Sequence, residues 1–183
     1  MMESYSYDLK VPKERLPIII GTKGKIKRKI ERETGTVLEV DSIEGVITVT
    51  GDDGLKLMIA REIIKAVARG FNPDLAFLLL KPDYSFEMIE LRDVARNKND
   101  MQRLKGRIIG EGGKSRRTIE DLTETYISVY GKTISVIGEI AGVTLCKRAL
   151  SMIIQGSPHA SVYTFLEKQR RKMKFMPEDG NLL

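Results

Sequence analysis

Two glycine-bracketed tetrads carry the chemistry within reach of this sequence: Gly21-Thr22-Lys23-Gly24 and Gly110-Glu111-Gly112-Gly113. Glycine lacks a Cβ, so a chain bracketed by it can turn sharply and bring its backbone close to a ligand. Each tetrad runs into a lysine, Lys25 or Lys114, and then into a stretch of helical periodicity. A helix start presents N–H groups without intrahelical acceptors and the positive end of the peptide dipoles, which together favour an anion. The flanks match that chemistry. From 21 to 32, Lys23, Lys25, Lys27, Arg28, Lys29 and Arg32 are opposed only by Glu31. From 96 to 118, Arg96, Lys98, Arg103, Lys105, Arg107, Lys114, Arg116 and Arg117 are opposed by Asp100 and Glu111.

A lone G-x-x-G is a weak signal, but here its surroundings are duplicated. Ile19-Ile20-Gly21 aligns with Ile108-Ile109-Gly110 at a spacing of 89 residues. The same spacing pairs Ile30 with Ile119, Thr34 with Thr123, Thr36 with Thr125 and Val40 with Val129. Self-similarity at fixed spacing means one structural unit used twice.

Periodicity supplies the elements that must position the tetrads. In the first copy it predicts a strand over Tyr5–Val11 and a short helix over Lys13–Ile20. A helix over Gly24–Glu33 follows, with Ile26 and Ile30 on one face. Strands over Thr36–Asp41 and Val46–Thr50 then meet at Ile43-Glu44-Gly45. The copy closes with an amphipathic helix over Leu55–Arg69, striped by Leu55, Ile59, Ile63 and Val67. In the second copy the order is a strand over Ser85–Val94, a polar helix ending at Ile109 and a helix over Gly113–Glu124. Strands over Tyr126–Tyr130 and Thr133–Ile137 and a helix over Val143–Ile154 complete it. Glycine and proline at Gly70-Phe71-Asn72-Pro73 and Lys81-Pro82 punctuate the junction. The boundaries follow: a first domain over 1–71, a linker with a short helix over 72–83, and a second domain over 84–157. A basic helix, Pro158–Phe175, and a tail, Met176–Leu183, occupy 158–183.

The arrangement resembles the KH family, whose G-x-x-G loop clamps single-stranded nucleic acid. The resemblance runs from about Tyr5 to Gln155. The order β-α-GxxG-α-β-β-α is similar to the type I form. It implies an α+β fold: two domains, each a three-stranded antiparallel sheet with three helices, followed by a C-terminal helix. It also implies an RNA site made of Gly21, Thr22, Lys23, Gly24, Lys25 and Arg28 in the first copy. Arg103, Lys105, Arg107, Gly110, Glu111, Gly112, Gly113, Lys114 and Arg117 form it in the second. Isoleucines before each loop floor a groove for about four unstacked nucleotides. Two positions depart from the pattern: Glu111 puts a carboxylate where a phosphate should lie, and Ser115 replaces Ile26, which loosens the helix's seat. The longer basic helix before the second loop points to that copy as the main RNA contact, with the first extending it.

Two KH copies and a basic C-terminal helix resemble the archaeal and eukaryotic small-subunit rRNA-processing KH proteins, the partner-of-Nob family. That likeness implies binding near the 3′ end of small-subunit rRNA during ribosome assembly, beside the endonuclease that matures that end. Retention of G-x-x-G in both copies fits the archaeal branch. The alternatives are a protein adaptor in an RNA-processing or translation-initiation complex and an exosome-type KH subunit. The latter usually carries an S1-type barrel, which no segment here fits.

Composition agrees. The chain of 183 residues has 31 Lys+Arg against 25 Asp+Glu, a net charge of +6, which suits an anionic partner. Trp is absent, so extensive aromatic stacking is not expected. Its one cysteine, Cys146, cannot pair internally and reads as core. Its one histidine, His159, follows Ser157-Pro158 in a helix-start context and is assigned no chemistry. With neither metal-ligand spacing nor a catalytic cluster, the expectation is a non-enzymatic protein without cofactor. A leader and a membrane-length apolar run are also lacking, which points to the cytoplasm.

Overall fold

The computed structural model describes residues 4–175. Its elements are β1 (Tyr5–Lys10), α1 (Leu16–Ile20), α2 (Lys25–Thr34), β2 (Val37–Asp41), β3 (Val46–Gly51), α3 (Gly54–Ala68) and α4 (Pro73–Ala76). They continue with β4 (Tyr84–Glu90), α5 (Leu91–Val94), α6 (Lys98–Ile109), α7 (Lys114–Thr123), β5 (Thr125–Tyr130), β6 (Thr133–Glu139), α8 (Ile140–Ile154) and α9 (His159–Phe175). The chain divides between Phe86 and Glu87 into two compact units. The tail expected over Met176–Leu183 lies outside the described residues.

Each unit holds a three-stranded antiparallel sheet, in the order β1-β3-β2 in the first and β4-β6-β5 in the second. In the first, Leu9 sits opposite Ile47 and Leu38 opposite Val49, and all four are buried. Helices cover that face: Ile19, Ile30, Ile63 and Ile64 are at most 1% exposed. Burial of such side chains is worth roughly 1.5–3 kcal/mol each and holds the helices on the sheet. In the second unit Leu104, Ile108, Ile119, Ile134, Val136 and Leu150 form the equivalent core.

Local chemistry ends the elements where expected. Asp53 caps α3, accepting the amides of Leu55 and Lys56. Gly35 ends α2 at φ 61°. Asp41 accepts the amides of Ile43 and Glu44 in the β2–β3 turn. Pro17 sits in the first turn of α1, where a missing N–H costs nothing.

Three expectations need correction. The strand expected over Ser85–Val94 stops at Glu90, and Leu91–Val94 is one helical turn. Leu91 donates its amide to Lys132 and is fully buried, so the chain folds inward there and leaves the sheet. The stripe expected on α3 shifts as well: Leu55 is 68% exposed and Ile59 half-buried, while Leu57, Ala60 and Ile64 join Ile63 and Val67 in the core. In β1, Tyr5 and Tyr7 share a face with Leu9 but are 48% and 37% exposed. They lie at the end of the strand away from that buried residue, and the Arg61 guanidinium lies over Tyr7, 4.3 Å from its ring centre.

The repeat runs further than the sequence patterns indicate. Leu57, Ala60, Ile63, Ile64 and Val67 of α3 match Val143, Cys146, Ala149, Leu150 and Ile153 of α8, all buried, at a spacing of 86. Beyond them Gly70 and Gly156 both take φ 99°. Then Ala76 of α4 and Val162 of α9 are both fully buried. The trailing helix therefore belongs to the repeated unit. In the first copy a 3₁₀ turn, Phe77–Leu80, extends α4, and the chain becomes extended at Lys81, before Pro82. In the second copy α9 runs on for 17 residues against α7 and α8.

Candidate nucleic-acid interface

The two tetrads adopt one backbone conformation. Gly21 and Gly110 have φ, ψ of 71°, 169° and 73°, 173°. Lys23 and Gly112 have 52°, 31° and 57°, 21°. Gly24 and Gly113 have 73°, 18° and 77°, 13°. Six angles agree within 10° although two of the four residues differ, so the loop shape comes from the surrounding scaffold.

The first glycine is compulsory in both. A Cβ on Gly21 would lie 2.5 Å from Cγ1 of Ile26, and one on Gly110 2.7 Å from the amide nitrogen of Ser115. Ser115 is thus seated under its loop as Ile26 is under the other. It is 3% exposed, with a hydroxyl that has no hydrogen-bond partner. The smaller side chain leaves the loop angles unchanged, contrary to the expected loosening.

Inside each loop the amides of Gly24 and Gly113 bond to the carbonyls of Gly21 and Gly110. The amides of Lys25 and Lys114 bond to Thr22 and Glu111. These links close a 3₁₀ turn. The amides that open it, on Thr22–Lys23 and Glu111–Gly112, have no acceptor within such a turn and are the groups available to an anion. Behind them stand the dipoles of α2 and α7.

The expected basic side chains divide into exposed and engaged. Around the first loop Lys23, Lys25 and Arg28 are exposed. Arg28 folds back over its loop, its Nη1 2.9 Å from where a Cβ on Gly24 would sit. Lys29 lies instead over the Phe77 ring at 4.0 Å, and Lys27 pairs with Glu31 at 3.5 Å. Around the second loop Lys114 is exposed and Lys105 half-buried. Arg117, the counterpart of Arg28, donates to the carbonyl of Gly112 at 2.8 Å. Arg103 forms two hydrogen bonds to Asp100, at 3.0 and 2.6 Å. The Arg96 amide, and then Arg103, hold the Asp100 carboxyl below its usual range. Arg107 turns away from the loop and donates to the carbonyls of Ile153 and Ser157, both at 2.6 Å. Glu111 is exposed on the loop itself.

Three recurring contacts were not foreseen from the sequence patterns. Glu31 and Glu120, 89 residues apart, accept the outer amides of the edge strands from Leu38 at 2.9 Å and Ile127 at 2.6 Å. Burial pushes the Glu120 carboxyl up, against the Ile127 amide. Thr34–Thr36 and Thr123–Thr125 each share a buried 2.8 Å hydroxyl pair. Arg15 donates to the carbonyls of Val67 and Phe71, at 2.8 and 2.9 Å, the counterparts of Ile153 and Ser157. The duplicated glutamates were visible as a spacing; the arginine contacts, 46 to 56 residues distant, were not. Among the described residues no group of three or more His, Cys, Asp or Glu could hold a metal ion, and no helix is long and apolar enough to cross a membrane.

An antiparallel β1-β3-β2 sheet under three helices, with a glycine loop between the first two, defines a type I KH domain, here present twice. Comparison agrees: residues 6–66 match the KH domain, and residues 85–171 match the eukaryotic type KH-domain (KH-domain type I). The chain is 45% identical over 170 residues to KH domain-containing protein MJ0443 of Methanocaldococcus jannaschii, covering 91% of this chain and 74% of that one. It is 32% identical over 127 residues to pre-rRNA-processing protein pno1 of Schizosaccharomyces pombe, covering 68% and 52%. It spans about half the length of the eukaryotic relatives it matches. Among solved structures, Dim2p from Pyrococcus horikoshii OT3 superposes with a TM-score of 0.83 at 38% identity, over 90% of this chain and 99% of that one. A chain of the a/eIF2alpha-aDim2p-rRNA complex from the same organism gives 0.86 at 37%, over 92% and 96%. The chain belongs to the PNO1/Dim2 family of tandem KH-domain proteins.

Proposed function

We propose that this chain binds single-stranded RNA through both glycine loops and serves ribosome assembly at small-subunit rRNA, near its 3′ end. The observation that carries the reading is the pair of loops with matching backbone angles, each opening a helix and flanked by exposed lysines and arginines. In the first, Gly21, Thr22, Lys23, Gly24, Lys25 and Arg28 hold one stretch of sugar-phosphate backbone. In the second, Gly110, Glu111, Gly112, Gly113, Lys114 and Arg117 hold another, with Lys105 adding charge. Arg107, bonded to two carbonyls beyond α6, serves the site by holding that helix in place, and Arg103 pairs with Asp100 inside it. The choice of RNA is supported by the names of the relatives, pre-rRNA-processing and RNA-binding proteins, and by the rRNA in the Pyrococcus complex. The a/eIF2alpha in that complex supports a protein partner beside the RNA, as in the adaptor reading. A maturing endonuclease is the second partner proposed. The protein works in the cytoplasm, by binding and not by catalysis.

Crosslinking the protein in its own cells and sequencing the attached RNA tests this. Fragments should concentrate near the 3′ end of small-subunit rRNA. Even scatter across messenger RNA would overturn the assignment.

A further inference from the structure

We propose that His159, together with Arg107, is a positioning residue for the second RNA loop, tying down the turn of α6 that leads into it without touching RNA. The proposal rests on the RNA-binding reading above. It starts from the end of α6. The last α-type bond there runs from the Gly110 amide to the Gly106 carbonyl, at 2.8 Å. The next carbonyl in line is that of Arg107, whose helical partner would be the amide of Glu111, four residues on. Another donor occupies it. Nε2 of His159, the first residue of α9, lies 2.7 Å from the Arg107 oxygen. A carbonyl can only accept, so the imidazole donates, and Nε2 carries the proton. Gly110, at φ 73° and ψ 173°, turns the chain out of the helix before Glu111, as Gly21 does in the first loop, so the imidazole adds a tie between the last turn of α6 and the start of α9.

The same residue is gripped through its side chain. The Arg107 guanidinium holds the carbonyls of Ile153, in the last turn of α8, and Ser157, just past Gly156. Three hydrogen bonds thus fix the residue three positions ahead of the loop to the ends of two other helices. Arg15 makes the same double grip on Val67 and Phe71 in the first unit, so the guanidinium clasp is a repeated device. The histidine is not repeated: the position 86 residues before it is Pro73, which has no side-chain donor. The second loop carries Glu111 where the first has Thr22 and Lys23 beside it, so its affinity depends more heavily on well-placed amides. The histidine holds that placement more firmly.

The test uses the full chain and a fluorescent, randomised single-stranded RNA of about twelve nucleotides, within the span such proteins cover. His159→Ala should weaken binding roughly three- to tenfold, the equivalent of one hydrogen bond. The slope of log affinity against log salt should not change, because no phosphate contact is lost. Hydrogen exchange at residues 110–113 should quicken while that of α8 does not. His159→Gln, which retains an N–H donor, should restore most of the affinity. Arg107→Ala should weaken binding with the slope unchanged; should it fail to fold, Arg107→Lys gives the same readout. Wild-type affinity in His159→Ala would overturn the proposal. So would a slope flatter by about 0.7 in the Arg107 variant, the mark of a direct phosphate contact. Gly112→Asp is the control on the underlying reading: undiminished binding there means that RNA does not use this loop, and the clasp falls with it.

Discussion

Lys23 occupies a conformation that costs it energy. At φ 52° it lies in the left-handed region, where its counterpart in the other loop is a glycine. Such a residue carries on the order of 1 kcal/mol of strain unless its surroundings compensate. The structure offers a reason for keeping it: the side chain is exposed at the centre of the turn proposed to meet phosphate. Lys23→Gly should therefore raise stability to denaturant by up to about 1 kcal/mol and weaken RNA binding at low salt. A variant that is both less stable and equally tight would refute the trade. Positive φ was illegible in the sequence because a lysine does not announce it; only alignment with Gly112 hints at the geometry. The tetrads, their lysines and the isoleucines beneath were legible, since each is adjacent to the motif in the chain. Arg107 was not, because its partners lie 46 and 50 residues away.

Among the elements, α3 and α8 show what periodicity can and cannot give. Both helices were readable, but the α3 stripe was only half right: Ile63 and Val67 are buried, whereas Leu55 is exposed and Leu57, Ala60 and Ile64 take the inner face. Cys146 falls in the core as expected. It is fully buried, and burial pushes its thiol up to about 12 from an ordinary 9.0. An acid whose native value is raised holds its proton in the folded state after the unfolded chain has lost it. Its contribution is therefore complete below pH 9 and declines above it, by up to about 1.4 kcal/mol per pH unit. The stability difference between wild type and Cys146→Ala should accordingly narrow as pH rises from 8 to 10.5 in denaturant titrations, and a constant difference would show the thiol to be accessible. What periodicity missed is tertiary. The turn at Leu91–Val94 interrupts an alternating pattern because Leu91 is drawn into the core. The trailing helices α4 and α9 repeat at a spacing of 86, not the 89 of the loops, so one alignment could not capture both.

At the scale of the whole molecule, charge is distributed differently around two loops of equal shape. Three arginines before and after the second loop are engaged by Asp100, by carbonyls of α8 and its following turn, and by the loop itself. The first loop keeps Lys23, Lys25 and Arg28 exposed. Sequence counting gave the second region the larger excess and so favoured it; pairing shifts the available charge toward the first. The first loop should then contribute more of the salt dependence, and the second more of the close backbone contact. Lys23→Asp and Gly112→Asp separate these contributions with little risk to the fold. Aspartate tolerates the left-handed region better than most residues, and a Cβ on Gly112 meets nothing within 4 Å.

The most direct test is the affinity of the full chain for a short single-stranded RNA, measured across salt concentrations for wild type and for the Lys23→Asp, Gly112→Asp double variant. Two or three phosphates per loop, at about −0.7 each, predict a wild-type log–log slope of roughly −2 to −4, according to how many loops engage one strand. The double variant should bind at least tenfold more weakly, with a flatter slope and an unchanged unfolding transition. Equal affinity and equal slope in a folded double variant would contradict the claim that these loops grip RNA.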